Sequence, residues 1–418
     1  MKVFDIVIVG GGASGMFAAI SAKQKNPALN VAIVEKNARV GKKLLATGNG
    51  RCNISNYDDE MSRYHGENVK FVISAFSRLS TEKSLDIFNK LGLLTKEESE
   101  GKIYPRSGQA SVVLDFLRLG LSRLGISEIT DFEAACINPS KEKFVIKSKS
   151  GDEVSGKCVI VCVGGWAGPQ FGTDGSGFKL IEKLGHAKTP VYPALTRLKS
   201  TNPFAKSLKG MKFDGVATLK SEGKTVRVEE GEILFTEYGL SGPPILQLSG
   251  EAINLLNKNK KPSISLDIIP DKDEQELKNI LSEMIKLNPD IPLENFLSGI
   301  MNKQIGKMLV KAANIGKLGD RAEILGEKEL SKVISFIKGW EFEISGHTGW
   351  KDAQTTAGGA KTSEFFPSTM ESRLVKNLFV AGEILDIYGD CGGFNLKWAW
   401  SSGYLAGVSA AERLSENG

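Results

Sequence analysis

An apolar stretch, Ile6-Val7-Ile8-Val9, runs straight into Gly10-Gly11-Gly12-Ala13-Ser14-Gly15 and then into a small-residue helical segment over residues 16–23. No other feature constrains the fold as strongly. Strand, glycine turn and helix in this order open a dinucleotide-binding βαβ unit. Gly10 makes the tight turn, Gly12 lets the backbone approach a pyrophosphate, and Gly15 lets helix and strand pack closely. The free N–H groups of the first helical turn then face the phosphates. A second run, Asn30-Val31-Ala32-Ile33-Val34, reads as a buried parallel strand ending at Glu35. Glu35 lies twenty residues beyond Gly15, where an acidic side chain accepts the ribose hydroxyls of an adenosine.

At 418 residues the chain is too long for one core. A net charge of +5, from 54 basic and 49 acidic residues, is a modest excess that fits an anionic small molecule better than a nucleic acid. No basic-apolar-small leader precedes the first strand, and the apolar runs are too short and glycine-broken to span a bilayer, so no membrane is expected. Five scattered cysteines suit a reducing cytoplasm, and no His/Cys cluster has metal-ligand spacing.

Along the chain, residues 41–53 (Gly-Lys-Lys-Leu-Leu-Ala-Thr-Gly-Asn-Gly-Arg-Cys-Asn) are basic, then glycine-rich, with little periodicity. Directly after the ribose-binding acid, such a loop is expected to wrap an extended cofactor. Helical periodicity follows over 67–99, a turn over 102–109, and an amphipathic helix over 110–124. A buried strand over 157–163 lands on Gly164-Gly165. From about residue 190 the prolines and short alternating runs suggest a β-rich insertion, with helices over 273–287, 293–307 and 327–336, and a less regular stretch over 303–319. The last seventy residues repeat the pattern of the first: a buried strand over 378–381, Gly382-Glu383, then Gly392-Gly393-Phe394-Asn395-Leu396 and a helix over 397–405. The expected class is therefore α/β. A discontinuous Rossmann-like domain (1–190 and 346–418) carries an inserted β-barrel-like domain (191–270 plus about 337–345) and a helical one (271–336).

With these residues in hand, the chain resembles the BaiN-like (YhiN-type) flavoproteins of the glutathione-reductase-like class over nearly its whole length. The motifs that carry the resemblance are VIVGGGASG, GKKLLATGNGRCNISN, CVGGWAGPQFGTDGSGF, FTEYGLSGPPILQLS and LFVAGEILDIYGDCGGFNLKWAWSSGYLAG. The resemblance implies FAD, with Gly10, Gly12, Ala13, Ser14 and Gly15 on its pyrophosphate and Glu35 with Lys36 at the adenosine ribose. Lys43, Leu44, Thr47, Gly48, Arg51, Cys52 and Asn53 would run along the pyrophosphate and flavin. Ala134 would meet the adenine, and Gly164 would sit behind the cofactor. Gly382, Glu383, Asp386, Gly393, Asn395 and Leu396 would surround the ribityl chain and the isoalloxazine. Cys162 stands where the pattern more often has alanine.

A flavin carries the redox chemistry, so no catalytic triad is expected and none is visible. Residues 190–345 contain no second strand-GxGxxG-helix, so NADH or NADPH, if used, would bind transiently near the flavin. Cys52 has no CxxC partner; Cys391 is its only distant mate, and a structural, cofactor-lining role is the simpler reading. Tyr104, Arg106, Trp166, Tyr238, Tyr388 and Trp398 are candidate substrate-pocket walls. Three activities stay open: an NAD(P)H-dependent reductase of a carbon–carbon double bond, with an enone or steroid-like substrate implied by one branch of the family; a flavin-dependent amine oxidase using oxygen; and a flavin-bearing binding or RNA-modifying protein.

Overall fold

Strand β1 (Lys2–Val9) sits at the middle of the main sheet because Ile6 to Val9 are all buried, leaving polar exposure only at its start. It pairs in parallel with β2 (Val31–Val34) on one side. Beyond β2 lies β3 (Ser127–Ile129), also parallel. An antiparallel meander follows in the chain, β4 (Ala134–Pro139), β5 (Phe144–Ser148) and β6 (Glu153–Val161). The last of these returns to pair in parallel with β1. The far C-terminal strand β7 (Leu378–Val380) joins in parallel beside the end of β6, so the sheet has seven strands drawn from both ends of the chain. Parallel strands covered on both faces read as unbroken apolar runs, the composition of β2, β7 and the last residues of β1 and β6, whereas the edge strand β3 is half-buried Ser-Glu-Ile.

The helices that matter are α1 (Ala13–Lys25) and α2 (Phe394–Glu416). They pack backbone to backbone. A Cβ on Gly403 would stand 2.2 Å from the Ser14 carbonyl oxygen, and one on Gly407 2.2 Å from that of Ala18. One helical turn separates the two glycines, so they present a continuous smooth face to α1. Ser21 Oγ lies 3.1 Å from the Tyr404 carbonyl, adding a hydrogen bond across the same seam.

The structure is a computed structural model that describes residues 1–416. The chain divides into two compact units, Met1–Pro193 with Ala353–Gly418, and Ala194–Asp352. The second unit is built on a closed barrel in the order Leu198–Ser200, Gly239–Ser241, Lys224–Thr236, Lys212–Ser221, Pro262–Asp267 and Trp340–His347. Phe235, Trp340 and Phe342 fill it, with ring centroids 5.3–6.3 Å apart. Every pairing in the barrel is antiparallel, unlike the parallel βαβ unit that holds a dinucleotide. Helix Glu274–Leu287 starts on a capping box in which Asp273 and Glu276 each accept the other's backbone N–H.

Three local expectations are corrected. Residues 102–105, read as a turn, form a strand between Ser55–Asn56 and Thr95–Glu97, because a partner nearly fifty residues away supplies one of its edges. The helix expected over 293–307 is two: Leu293–Phe296 ends in a 3₁₀ turn, and Lys303–Ala313 begins anew on Asn302, whose Oδ1 accepts from Gln304 and Ile305 N–H. The C-terminal helix begins at Phe394 rather than 397 and continues well past 405. Gly407, a weak helix former, is kept for its packing against α1. Among the described residues no helix is long and apolar enough to cross a membrane, and no group of three or more His, Cys, Asp or Glu could hold a metal ion.

Candidate cofactor site

The first half of the site is the turn from β1 into α1. Gly10 has φ +104°, and a Cβ there would stand 2.5 Å from the Cys162 carbonyl oxygen, so neither conformation nor space admits another residue. A Cβ on Gly15 would collide with the Gly10 carbonyl at 2.0 Å. Gly12 differs: nothing lies within 4 Å of where its Cβ would be. It is the N-cap of α1, with no side-chain cap and no acidic residue in the first turn. The first N–H to bond back into the helix is that of Met16, to Gly12, at 3.0 Å. The N–H groups of Ala13, Ser14 and Gly15 therefore have no partner within the helix, beside open space that suits an anion.

Glu35 is buried at the end of β2, and the protein already makes three demands on it. Its Oε2 accepts the Gly11 N–H at 2.8 Å. Its Oε1 accepts the Asn37 N–H at 2.8 Å and the Asn37 amide at 2.6 Å. A carboxylate has about four lone-pair sites, so room is left for one more donor, on Oε2. Sequence reasoning missed Asn37; only its place two residues after the acid hinted at it. Lys36 Nζ pairs with Asp174 at 3.2 Å, drawing the loop around 168–177 to the same end. Burial works to raise the Asp174 carboxyl, yet the hydrogen bonds of Ser176 and Lys36 leave it below its ordinary value. Phe132 N–H donates to the Glu35 carbonyl at 2.9 Å, which brings the start of β4 and Ala134 into this neighbourhood.

A second knot ties four distant segments. Lys43 Nζ meets Glu383 Oε2 at 2.6 Å. Glu383 Oε1 accepts from Thr356 N–H at 3.0 Å and Oγ1 at 2.8 Å. Thr356 Oγ1 in turn accepts the N–H groups of Trp166 and Ala167, at 2.8 and 3.0 Å. The loop after β2, the Gly164-Gly165 turn after β6, the strand Thr355–Ala357 and the turn after β7 are thereby fixed together. A Cβ on Gly165 would press 2.3 Å from Thr356 Oγ1, and one on Gly382 2.5 Å from Ser14 Oγ. Thr356 carries the knot, and nothing local in the sequence marked it.

The loop over 41–53 is two short 3₁₀ turns broken at Thr47, Gly48 and Asn49. Leu44 is buried, Thr47 Oγ1 donates to the Leu44 carbonyl at 2.7 Å, and Gly48 to Gly50 are exposed. Arg51 turns away toward Glu98, 2.6 Å, and lies over the Tyr104 ring at 4.1 Å. That hydrogen bond, with help from Lys96, holds the Glu98 carboxyl down at about 2. Cys52 is fully buried with φ +59°, and burial pushes its thiol up to about 12. Such a thiol is protonated at neutral pH and is a poor nucleophile.

At the start of α2, Asn395 is consumed by its own surroundings. Its Oδ1 accepts from Gly389 N–H at 2.9 Å and Thr355 Oγ1 at 3.2 Å, while its Nδ2 donates to the carbonyls of Gly389 and Asp390. Asp386 accepts the Glu67 N–H at 3.1 Å, and burial raises its carboxyl above the usual range. These two side chains fasten the loop before α2. Leu396 lies in the first turn of that helix. Trp398, read as a wall, is instead core: it is 1% exposed and donates Nε1–H to the Gly382 carbonyl at 3.2 Å. Trp166 is 40% exposed and remains on the surface. Sequence reasoning also missed His65, whose Nε2 lies 2.7 Å from Asp390 Oδ1 and whose ring packs on Tyr388 at 4.9 Å.

Residues 4–409 match the family described as HI0933-like protein Rossmann domain. A 3-dehydro-bile acid delta(4,6)-reductase from Clostridium scindens is 38% identical to this chain over 98% of it and 99% of its own length. A ribosomal RNA dihydrouridine synthase from Escherichia coli is 28% identical over 97% of each chain. Among solved structures, 3-ketosteroid delta1-dehydrogenase from Sterolibacterium denitrificans, in complex with 1,4-androstadiene-3,17-dione, superposes with a TM-score of 0.51 at 12% identity, covering 99% of this chain and 100% of that one. At that identity the likeness is one of fold.

Proposed function

The chain belongs to the HI0933-like Rossmann-domain family, and on that premise we propose that it is an FAD-dependent oxidoreductase that reduces a carbon–carbon double bond conjugated to a carbonyl, with NADH or NADPH as a transient donor. One observation carries the reading: two helices from opposite ends of the chain are locked in parallel, Gly403 on Ser14 and Gly407 on Ala18, so that their N-termini are staggered along one seam by about 12 Å, with a buried carboxylate at the end of β2. An extended cofactor with an anionic middle and two polar ends suits that frame.

The residues present fit FAD. The open space at Gly12 and the unpartnered first-turn N–H groups of α1 would receive the pyrophosphate. Glu35 has one lone-pair position left on Oε2 for a ribose hydroxyl. Asn53, beside α2, keeps a buried acceptor with no protein partner. Bound there, FAD supplies the hydride chemistry. The positive end of α2 would favour negative charge on the ring edge nearest it. Lys43 and Glu383 neutralise one another and hold the turns around the site in place.

The substrate class rests on the relatives' names. A bile-acid delta(4,6)-reductase and a uridine-reducing synthase share one chemical step, hydride addition to a carbon–carbon double bond activated by a carbonyl, with a proton delivered to the neighbouring carbon. The greater identity to the first favours a small enone, steroid-like in shape. Two ribosomal RNA dihydrouridine synthases, 28% and 27% identical over nearly the full chain, favour a second reading in which the double bond is that of a uridine in RNA. The test is anaerobic titration of the flavin-loaded protein. NADH or NADPH should bleach the flavin and a 3-oxo-Δ4 steroid should restore its colour. Reoxidation by uridine-containing ribosomal RNA but not by the steroid would select the second reading. Bleaching by an amine and by neither nicotinamide would replace both with an oxidase.

A further inference from the structure

Of the two asparagines expected against the flavin, Asn395 has no acceptor to spare, but Asn53 does. Asn53 is 8% exposed, and its Oδ1 is buried with no hydrogen-bond partner. An idle buried acceptor is costly, by about 1–3 kcal/mol, unless a ligand completes it. It lies against Gly393, where a Cβ would stand 2.9 Å from Asn53 Oδ1 and 2.4 Å from the Ser55 carbonyl oxygen. Gly393 immediately precedes α2, and the first intrahelical bond runs from Lys397 N–H to Gly393, at 2.9 Å. The N–H groups of Phe394, Asn395 and Leu396 therefore have no partner within the helix. A lone acceptor beside a group of free donors is the complement of an imide edge, C=O, N–H, C=O.

Building on the FAD reading, we propose that Asn53 Oδ1 accepts the N3–H of the isoalloxazine while first-turn N–H groups of α2 donate to a flanking carbonyl oxygen of the same ring. Asn53 is thus a specificity-determining residue that distinguishes an imide N–H from any group without one. Uracil carries the same edge, so the ring that occupies the site is itself part of the test.

The experiment measures binding of FAD and of N3-methyl-FAD to the flavin-free full chain by flavin fluorescence quenching. The wild type should prefer FAD by about 10-fold or more, the worth of one hydrogen bond to a buried acceptor. Asn53→Leu keeps the bulk and removes the acceptor, so its preference should fall to within about 3-fold; Asn53→Asp keeps an acceptor and should keep the preference. Equal binding of the two flavins by the wild type overturns the inference without recourse to any variant. So does a preference that survives Asn53→Leu, which would be steric. Displacement of FAD by uridine monophosphate would give the edge to uracil and overturn the assignment to flavin. If FAD binds with no preference, only this inference fails; if FAD does not bind, the cofactor reading fails with it.

Discussion

Replacing Gly403 by alanine tests whether the seam between α1 and α2 sets the site. In an exposed helix the change would stabilise by about 1 kcal/mol, because alanine forms helix more readily than glycine. Here the new methyl would lie 2.2 Å from the Ser14 carbonyl oxygen, about 1 Å inside ordinary contact, and the obstacle is backbone that cannot rotate away. Overpacking of this kind costs about 1–3 kcal/mol, and rigid backbone puts Gly403→Ala at the upper end. The net expectation is a loss of about 2 kcal/mol, or a Tm lower by about 4–8 °C for a domain of this size. Ser14 lies in the first turn of α1, so parting the helices also moves one N-terminus from the other, and FAD affinity should fall by roughly 10-fold, about 1.4 kcal/mol. Gly120→Ala is the internal control. It too lies within a helix and would meet an atom at 2.6 Å, but that atom is Leu91 Cδ2, the end of a side chain that can change rotamer. Its Tm should move by no more than a few degrees. Differential scanning fluorimetry of both variants, with and without FAD, decides the matter. An unchanged or raised Tm for Gly403→Ala would refute the packing argument.

Other expectations are more local. Glu35→Gln keeps the shape but presents an amide N–H₂ to N–H donors, so it should cost about 1–3 kcal/mol and weaken FAD, as read by chemical denaturation and fluorescence titration; wild-type affinity would remove Glu35 from the site. Cys52, Cys158 and Cys162, all pushed up to about 12 by burial, should resist iodoacetamide at pH 8 while half-buried Cys136 and Cys391 react, by peptide mass mapping. Early alkylation of Cys52 would contradict its inert role. The Glu98 carboxyl is lowered to about 2 from 4.5, so its pairing stabilises fully above about pH 4.5 and is lost as pH falls toward 2. The Tm difference between wild type and Glu98→Gln should therefore shrink across that window, and a constant difference would show that the ion pair with Arg51 carries no stability.

Short-range signals settled much of this protein before any contact was known. The run Ile6 to Val9, its breaking glycines and the helix after them sit within a few residues of one another, so steric and hydrogen-bond rules fix β1, the turn and α1 locally. The spacing to Glu35 follows from the length of one βαβ unit. What a side chain does with its polar atoms is a different matter, since that depends on which distant segment arrives beside it. Asn53 and Asn395 look alike in sequence; folding spends the amide of Asn395 on residues 355, 389 and 390 and leaves the acceptor of Asn53 idle. Glu35 is an acid at the right distance in either view, yet only the tertiary structure brings the Gly11 N–H, twenty-four residues away, onto its Oε2. Residues 102–105 became a strand because Ser55–Asn56 came to lie against them. Gly403 and Gly407, weak helix formers by themselves, became the seam that holds two helices from opposite ends of the chain in parallel, because only a residue without a side chain lets two backbones approach so closely.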